Sequence, residues 1–170
     1  MRPGGGKEKG GKFERAVCKR LSHWVSAGKH QDLFWRSAMS GGRATVHGPG
    51  VRQAGDAAGV TAEAHQLLDH YVIECKHVKD LYLDRFCVQH KGPLVGYWTK
   101  LLSVCIAHNK EPMLIACQNF WPPLVFMRGY NVPNGCQCRC VVRTKVDNIA
   151  VFEFDHILKV PFKRWIACHR

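Results

Sequence analysis

No apolar run in this chain approaches the roughly 20 residues that span a bilayer, so no membrane segment is expected. The start is glycine-rich and basic. Met1 to Lys12 lacks the apolar stretch of a secretory signal and reads as a mobile basic arm. Acid is scarce: 13 Asp+Glu stand against 25 Lys+Arg, a formal charge of +12. Such an excess favours a polyanionic partner, nucleic acid before an anionic membrane surface. Internal repeats are absent, low complexity stops at residue 12, and the ten histidines form no His-x-x-x-His spacing. His70 and His77, which flank one apolar run, are read as surface or satisfied histidines before substrate contacts. Charged residues make up only 22% of a chain that is 46% apolar, which excludes global disorder. A length of 170 residues suits one domain with a real core.

Cysteine, by contrast, is plentiful. Nine thiols, an odd number without a secretory signal, are expected to be reduced and intracellular rather than paired. Cys136-Gln137-Cys138-Arg139-Cys140 invites a zinc reading, with Cys168 and His169 as further ligands. Zinc sites use spacers of two to four residues, whereas alternating thiols on a strand face one way and pack as small apolar groups. Packing is the expectation and zinc the alternative.

Periodicity predicts a helix over 13–27, with Phe13, Ala16, Val17, Leu21, Trp24 and Val25 on one stripe and Gly28 as its stop. Glu14 lies at the margin of that stripe. Leu33 to Ala38 suits a strand, Ser40 to Arg43 a loop, His47 to Gly50 a turn and Val51 to Asp56 a short strand. Residues 57–68 suggest a helical excursion capped by Thr61. A second helix is expected over 94–108, with Leu94, Tyr97, Trp98, Leu101, Leu102, Cys105 and Ile106 on one side. Strands follow at 113–117 and 124–127, a turn at 131–135, and a hairpin of 136–143 with 149–154 around Asp147-Asn148. Trp121 beside Pro122-Pro123, and Trp165 among Lys163, Arg164 and Arg170, mix aromatic and basic groups as nucleic-acid surfaces do; core tryptophans beside solvated charges are the equal alternative. A mixed sheet flanked by helices accounts for the order.

The densest chemistry lies in Tyr71-Val72-Ile73-Glu74-Cys75-Lys76. On a strand Tyr71, Ile73 and Cys75 share one face and Val72, Glu74 and Lys76 the other. A carboxylate and an ammonium thus sit side by side at the polar end of a buried-looking run, and Gly55-Asp56 lies upstream. Acid, spacer, acid-x-lysine can hold a divalent metal and activate water against a phosphodiester. The bland alternative is a surface ion pair and a turn aspartate.

Gly10-Gly11-Lys12-Phe13-Glu14-Arg15, then Arg36-Ser37-Ala38-Met39-Ser40-Gly41-Gly42, then Gly55-Asp56 and Ile73-Glu74-Cys75-Lys76 resemble, in order and spacing, the PD-(D/E)XK nuclease superfamily. Within it they are most like the archaeal and phage Holliday-junction resolvases. The resemblance covers about residues 10–118. It departs in that Asp56 has no proline before it and in the long segment 57–73 between the two acids.

The resemblance implies an α/β, restriction-endonuclease-like fold, a mixed central sheet flanked by helices, to which the sequence pattern adds an extra C-terminal β-hairpin. It implies a nuclease core at 13–118, and a β-rich extension at 119–170, which the resemblance does not reach, is expected to complete a single nuclease domain over 13–170. Asp56, Glu74 and the backbone carbonyl of Cys75 would hold Mg2+ or Mn2+, with Glu14 ligating directly or through a water and Lys76 on the attacking water. Lys12, Arg15, Lys19, Arg36, Ser37, Ser40 and Arg43 would contact DNA. The implied enzyme is a homodimeric endonuclease acting on DNA, four-way junctions included, in the cytoplasm of a bacterial or phage-infected cell. A linear-duplex or single-strand nuclease and a non-catalytic nucleic-acid-binding module are the alternatives.

Overall fold

The computed structural model describes residues 5–37, 52–131, 140–144 and 147–167, without the side chains of 5–7 and 52–54. Ser40, Arg43, the turn at 47–50, Cys136, Cys138, Cys168, His169 and Arg170 lie outside the described residues.

Helix α1 (Gly5–Val25) buries the expected stripe through Val17, Leu21, Trp24 and Val25. It begins inside the segment read as an arm. Two tethers act on this glycine-rich start: Glu8 pairs with Lys12 one turn on, at 2.7 Å, and Lys9 bonds Asn119. The chain leaves α1 through Ala27 (φ 51°) and Gly28 (φ 89°). The expected strand at 33–38 contracts to β1 (Trp35–Arg36), because Leu33 and Phe34 turn into the core. Strands β2 (Arg52–Ala54) and β3 (Ala57–Gly59) complete a small antiparallel sheet in the order β1-β3-β2. Residues 57–59 are therefore strand, and only α2 (Ala62–Leu68) is helical, capped as expected by Thr61, whose Oγ1 accepts from the Ala64 N–H at 3.2 Å.

β4 (Tyr71–Val78) enters the main sheet. Helices α3 (Leu83–Gln89) and α4 (Pro93–His108) carry the chain over to β5 (Glu111–Gln118), which pairs parallel with β4. β6 (Leu124–Arg128), β7 (Cys140–Arg143) and β8 (Ile149–Glu153) add antiparallel, giving a five-stranded order β4-β5-β6-β8-β7. Asp147 (φ 56°) and Asn148 (φ 48°) supply the left-handed turn of the expected hairpin. Two short helices, α5 (Phe154–Leu158) and α6 (Phe162–Ala167), follow; periodicity over so few residues did not signal them.

The sheet separates two apolar layers. Tyr71, Ile73, Cys75, Met113, Ile115, Val125 and Phe152 face α1, α2, α5 and α6. Val72, Leu114, Ala116, Phe126 and Val151 face α3 and α4. This is a mixed sheet flanked by helices, as expected. The C-terminal hairpin continues the same sheet, and Trp165 sits at 0% exposure with its ring 5.8 Å from that of Trp24. Trp165 is therefore core and not a nucleic-acid surface. Ile106, placed on the buried side of α4 from sequence, is 77% exposed, since the apolar face centres on Leu94, Trp98, Leu101 and Cys105. Among the described residues no helix is long and apolar enough to cross a membrane.

Candidate active site

β4 is an edge strand of the main sheet, so its outer N–H and C=O groups need partners. Gly55 and Asp56 supply them. Gly55 bridges Ile73 in parallel, the Asp56 N–H donates to the Ile73 carbonyl at 2.7 Å, and Asp56 Oδ2 accepts the Cys75 N–H at 2.8 Å. A side-chain carboxylate thus takes the place of a strand carbonyl. Ser37 holds the other side, its N–H donating to the Asp56 carbonyl at 2.9 Å. Gly55 permits the approach: its φ is +75°, and a Cβ there would lie 2.2 Å from the Ile73 carbonyl oxygen.

Asp56 thereby reaches the acid-x-lysine strand across the segment 57–73. That segment is itself packed, with Ala57, Ala58, Ala64, Leu67 and Leu68 all buried. Glu74 and Lys76 share the face of β4 that Val72 buries against α4, and the two side chains are hydrogen-bonded. Lys76 Nζ also sits 5.7 Å from the ring centroid of Tyr97 on α4. Helical spacing marks Tyr97 as a core residue and carries no signal for this second contact. Glu14 arrives from α1 on the opposite face, largely covered and ion-paired with Arg36.

The electrostatics follow from this crowding. Burial, then the charge of Glu74, pushes the Asp56 carboxyl up to about 7; Glu14 adds to this, while the Cys75 N–H and Lys76 oppose it. Burial draws the Lys76 ammonium down, but the hydrogen bond and charge of Glu74, with Asp56 behind them, hold it above the ordinary lysine value. Burial and the nearby Asp56 and Glu14 push the Cys18 thiol up to about 12, and Cys75 is raised in the same way. Both thiols are therefore inert at neutral pH.

Among the described residues no three His, Cys, Asp or Glu side chains form a ready-made metal cage. The donors nevertheless suit Mg2+, which keeps several waters and takes one or two carboxylates plus substrate phosphate rather than an all-protein cage. Two crowded carboxylates, one of them raised by burial and then by the other's charge, are a hard-oxygen set short of positive charge.

The expected DNA contacts divide. Lys12, Arg15 and Lys19 are exposed along α1. Arg36 is occupied by Glu14. Ser37 is buried, at 1% exposure, and its backbone N–H holds the Asp56 carbonyl. Six cysteines among the described residues are free thiols. Cys140 is exposed on the edge strand β7, not packed as the alternating pattern suggested. His77 is partly covered beside Phe13, with ring centroids 5.3 Å apart, and burial followed by the charge of Lys9 lowers its pKa.

A family model described as "Phage putative PDDEXK endonuclease" matches residues 5–159 of the chain. Comparison with curated proteins and with solved structures gives no match.

Proposed function

The chain belongs to this phage PDDEXK endonuclease family, and on that premise we propose that it is a divalent-metal-dependent enzyme that hydrolyses DNA phosphodiesters. We further propose four-way junctions as its preferred substrate and a homodimer as its working form. The observation that carries the reading is the meeting of Asp56 and Glu74 beside the Lys76 ammonium at the edge of β4, despite the long segment between the two acids.

Asp56, Glu74 and the Cys75 carbonyl would hold Mg2+ or Mn2+, with Glu14 direct or through a water; the ion supplies an acidic water and a counter-charge for phosphate oxygens. Lys76, whose proton is held tightly, orients the attacking water and donates to the scissile phosphate, where negative charge grows in the transition state. In this role it is a donor rather than a base. Tyr97 limits where the ammonium swings. Arg36 neutralises Glu14 until substrate arrives. Lys12, Arg15 and Lys19 grip the DNA backbone through a salt-dependent term. Junction preference and dimerisation are supported by the motif order along residues 10–76 and by the two symmetric cuts a four-way junction requires. Action in the cytoplasm of a bacterial or phage-infected cell is part of the same proposal.

The test is cleavage of a labelled four-way junction beside a linear duplex of the same sequence, in Mg2+, Mn2+ or EDTA. Paired nicks on the junction alone, lost in Glu74→Ala and reduced about 10²–10⁴-fold in Lys76→Ala, are expected. Equal cutting of both DNAs would remove the junction preference and keep the active site. Binding without metal-dependent cutting would leave a nucleic-acid-binding module instead.

A further inference from the structure

The turn between β5 and β6 carries an aromatic that neither core nor turn geometry explains. Phe120 is 104% exposed and has a φ of +66°. The Trp121 N–H donates to the Gln118 carbonyl at 3.3 Å, so Phe120 occupies a turn position where positive φ ordinarily selects Gly or Asn. The neighbouring Trp121 is half exposed. The base of the turn is firmly tied: the Cys117 thiol donates to the Trp121 carbonyl at 3.3 Å, the Phe154 N–H donates to the Pro123 carbonyl at 2.9 Å, and Lys9 bonds Asn119. Pro122-Pro123 further restricts it. A rigid base presents a bare ring.

Its position matters as much as its exposure. β4 and β5 run parallel, with Lys76 opposite Ala116 and Val78 opposite Gln118. Four residues of chain from Ala116 to Phe120 span at most about 13 Å. The turn therefore projects from the end of the sheet that carries Lys76. Beside it, Glu8, Lys9, Lys12, Phe13 and His77 line an open groove of about 460 Å³. Two lysines, one of them paired with Glu8, and the rings of Phe13 and His77 line that groove, a mix of basic and aromatic groups that nucleic-acid surfaces use.

Building on the DNA-endonuclease reading, we propose that Phe120, supported by Trp121, stacks on an unpaired base next to the scissile phosphate, so that the enzyme selects DNA with an unstacked nucleotide at a branch. A duplex interior shows no free base face, whereas a branch or single-stranded segment does. The groove, through Lys9 and Lys12, receives the adjoining backbone.

The test measures binding in EDTA, separately from cutting, using a forked duplex with 2-aminopurine at the branch and a linear duplex of the same sequence. Phe120→Asn keeps the left-handed turn and removes the ring; Phe120→Trp restores a ring. Asparagine is expected to weaken fork binding about tenfold, leave duplex binding unchanged and abolish 2-aminopurine quenching, with tryptophan restoring fork binding and quenching. Equal weakening on both DNAs, or no weakening, would overturn the proposal. So would a shift in oligomeric state on sedimentation with no fork-specific loss, which would make the turn a contact between copies of the chain. Metal-dependent cleavage by wild type is scored in parallel. Cleavage without fork-specific loss sinks the stacking role alone, and fork-specific loss without cleavage sinks the enzyme reading alone.

Discussion

Replacing Asp56 with asparagine separates two effects of crowding carboxylates at one sheet edge. Asparagine keeps an oxygen for the Cys75 N–H, so the edge of β4 stays closed. It removes the charge. Asp56 titrates near 7 in the folded chain against an ordinary value of 3.8. Between those values the folded chain holds a proton that the unfolded chain has released, so stability falls as pH rises through that window. The full shift corresponds to at most about 4 kcal/mol above pH 7. Asp56→Asn is therefore expected to stabilise the metal-free protein at pH 8 by about 2 kcal/mol, roughly 4–8 °C in Tm for a chain of this size. At pH 5, still above the ordinary value of 3.8, the difference should shrink to less than half of that, and it should vanish only below pH 3.8. Millimolar Mg2+ should raise the Tm of wild type and not of the variant. Thermal unfolding in EDTA at pH 5, 6, 7 and 8, then with Mg2+, reads all of this. A variant less stable than wild type at pH 8, or a gap that does not change with pH, would refute the claim that Asp56 is a destabilised, charge-crowded group.

Three further outcomes are expected. Gly55→Ala should cost about 2–4 kcal/mol in urea unfolding, because its Cβ meets the Ile73 carbonyl at 2.2 Å in a left-handed backbone. Wild-type stability would deny that the approach to β4 is tight. Trp165→Ala should cost about 3–5 kcal/mol, which tests whether the C-terminal helices are integral to the core through the Trp24 contact. Lys12→Ala, Arg15→Ala and Lys19→Ala should each weaken DNA binding without sequence preference and lower the slope of log K against log salt by about 1; an unchanged slope would place the backbone elsewhere.

The features legible in the sequence were those set by local period. Alternation put Glu74 and Lys76 on one face of a strand, and the Thr61 cap and most of the buried stripe of α4 followed from helical spacing. Where local period failed, a longer-range contact had intervened. Residues 57–59 pair with β1 and β2 instead of extending α2. Ser37 is buried where its backbone N–H meets the Asp56 carbonyl. Glycine-rich residues 5–12 become helical where Lys9 and Glu8 find partners.

By itself, then, the sequence determined the chemical inventory, the excess of positive charge and the juxtaposition of one acid with one lysine, because these depend on composition and on neighbours two to four residues apart. Only the tertiary structure decided that Asp56 closes the edge of β4, that Glu14 reaches the same edge from α1, and that the C-terminal hairpin and helices complete the core. Those placements join residues far apart in the chain, and the unmet hydrogen bonds of an edge strand and the apolar area left bare on a sheet face select them.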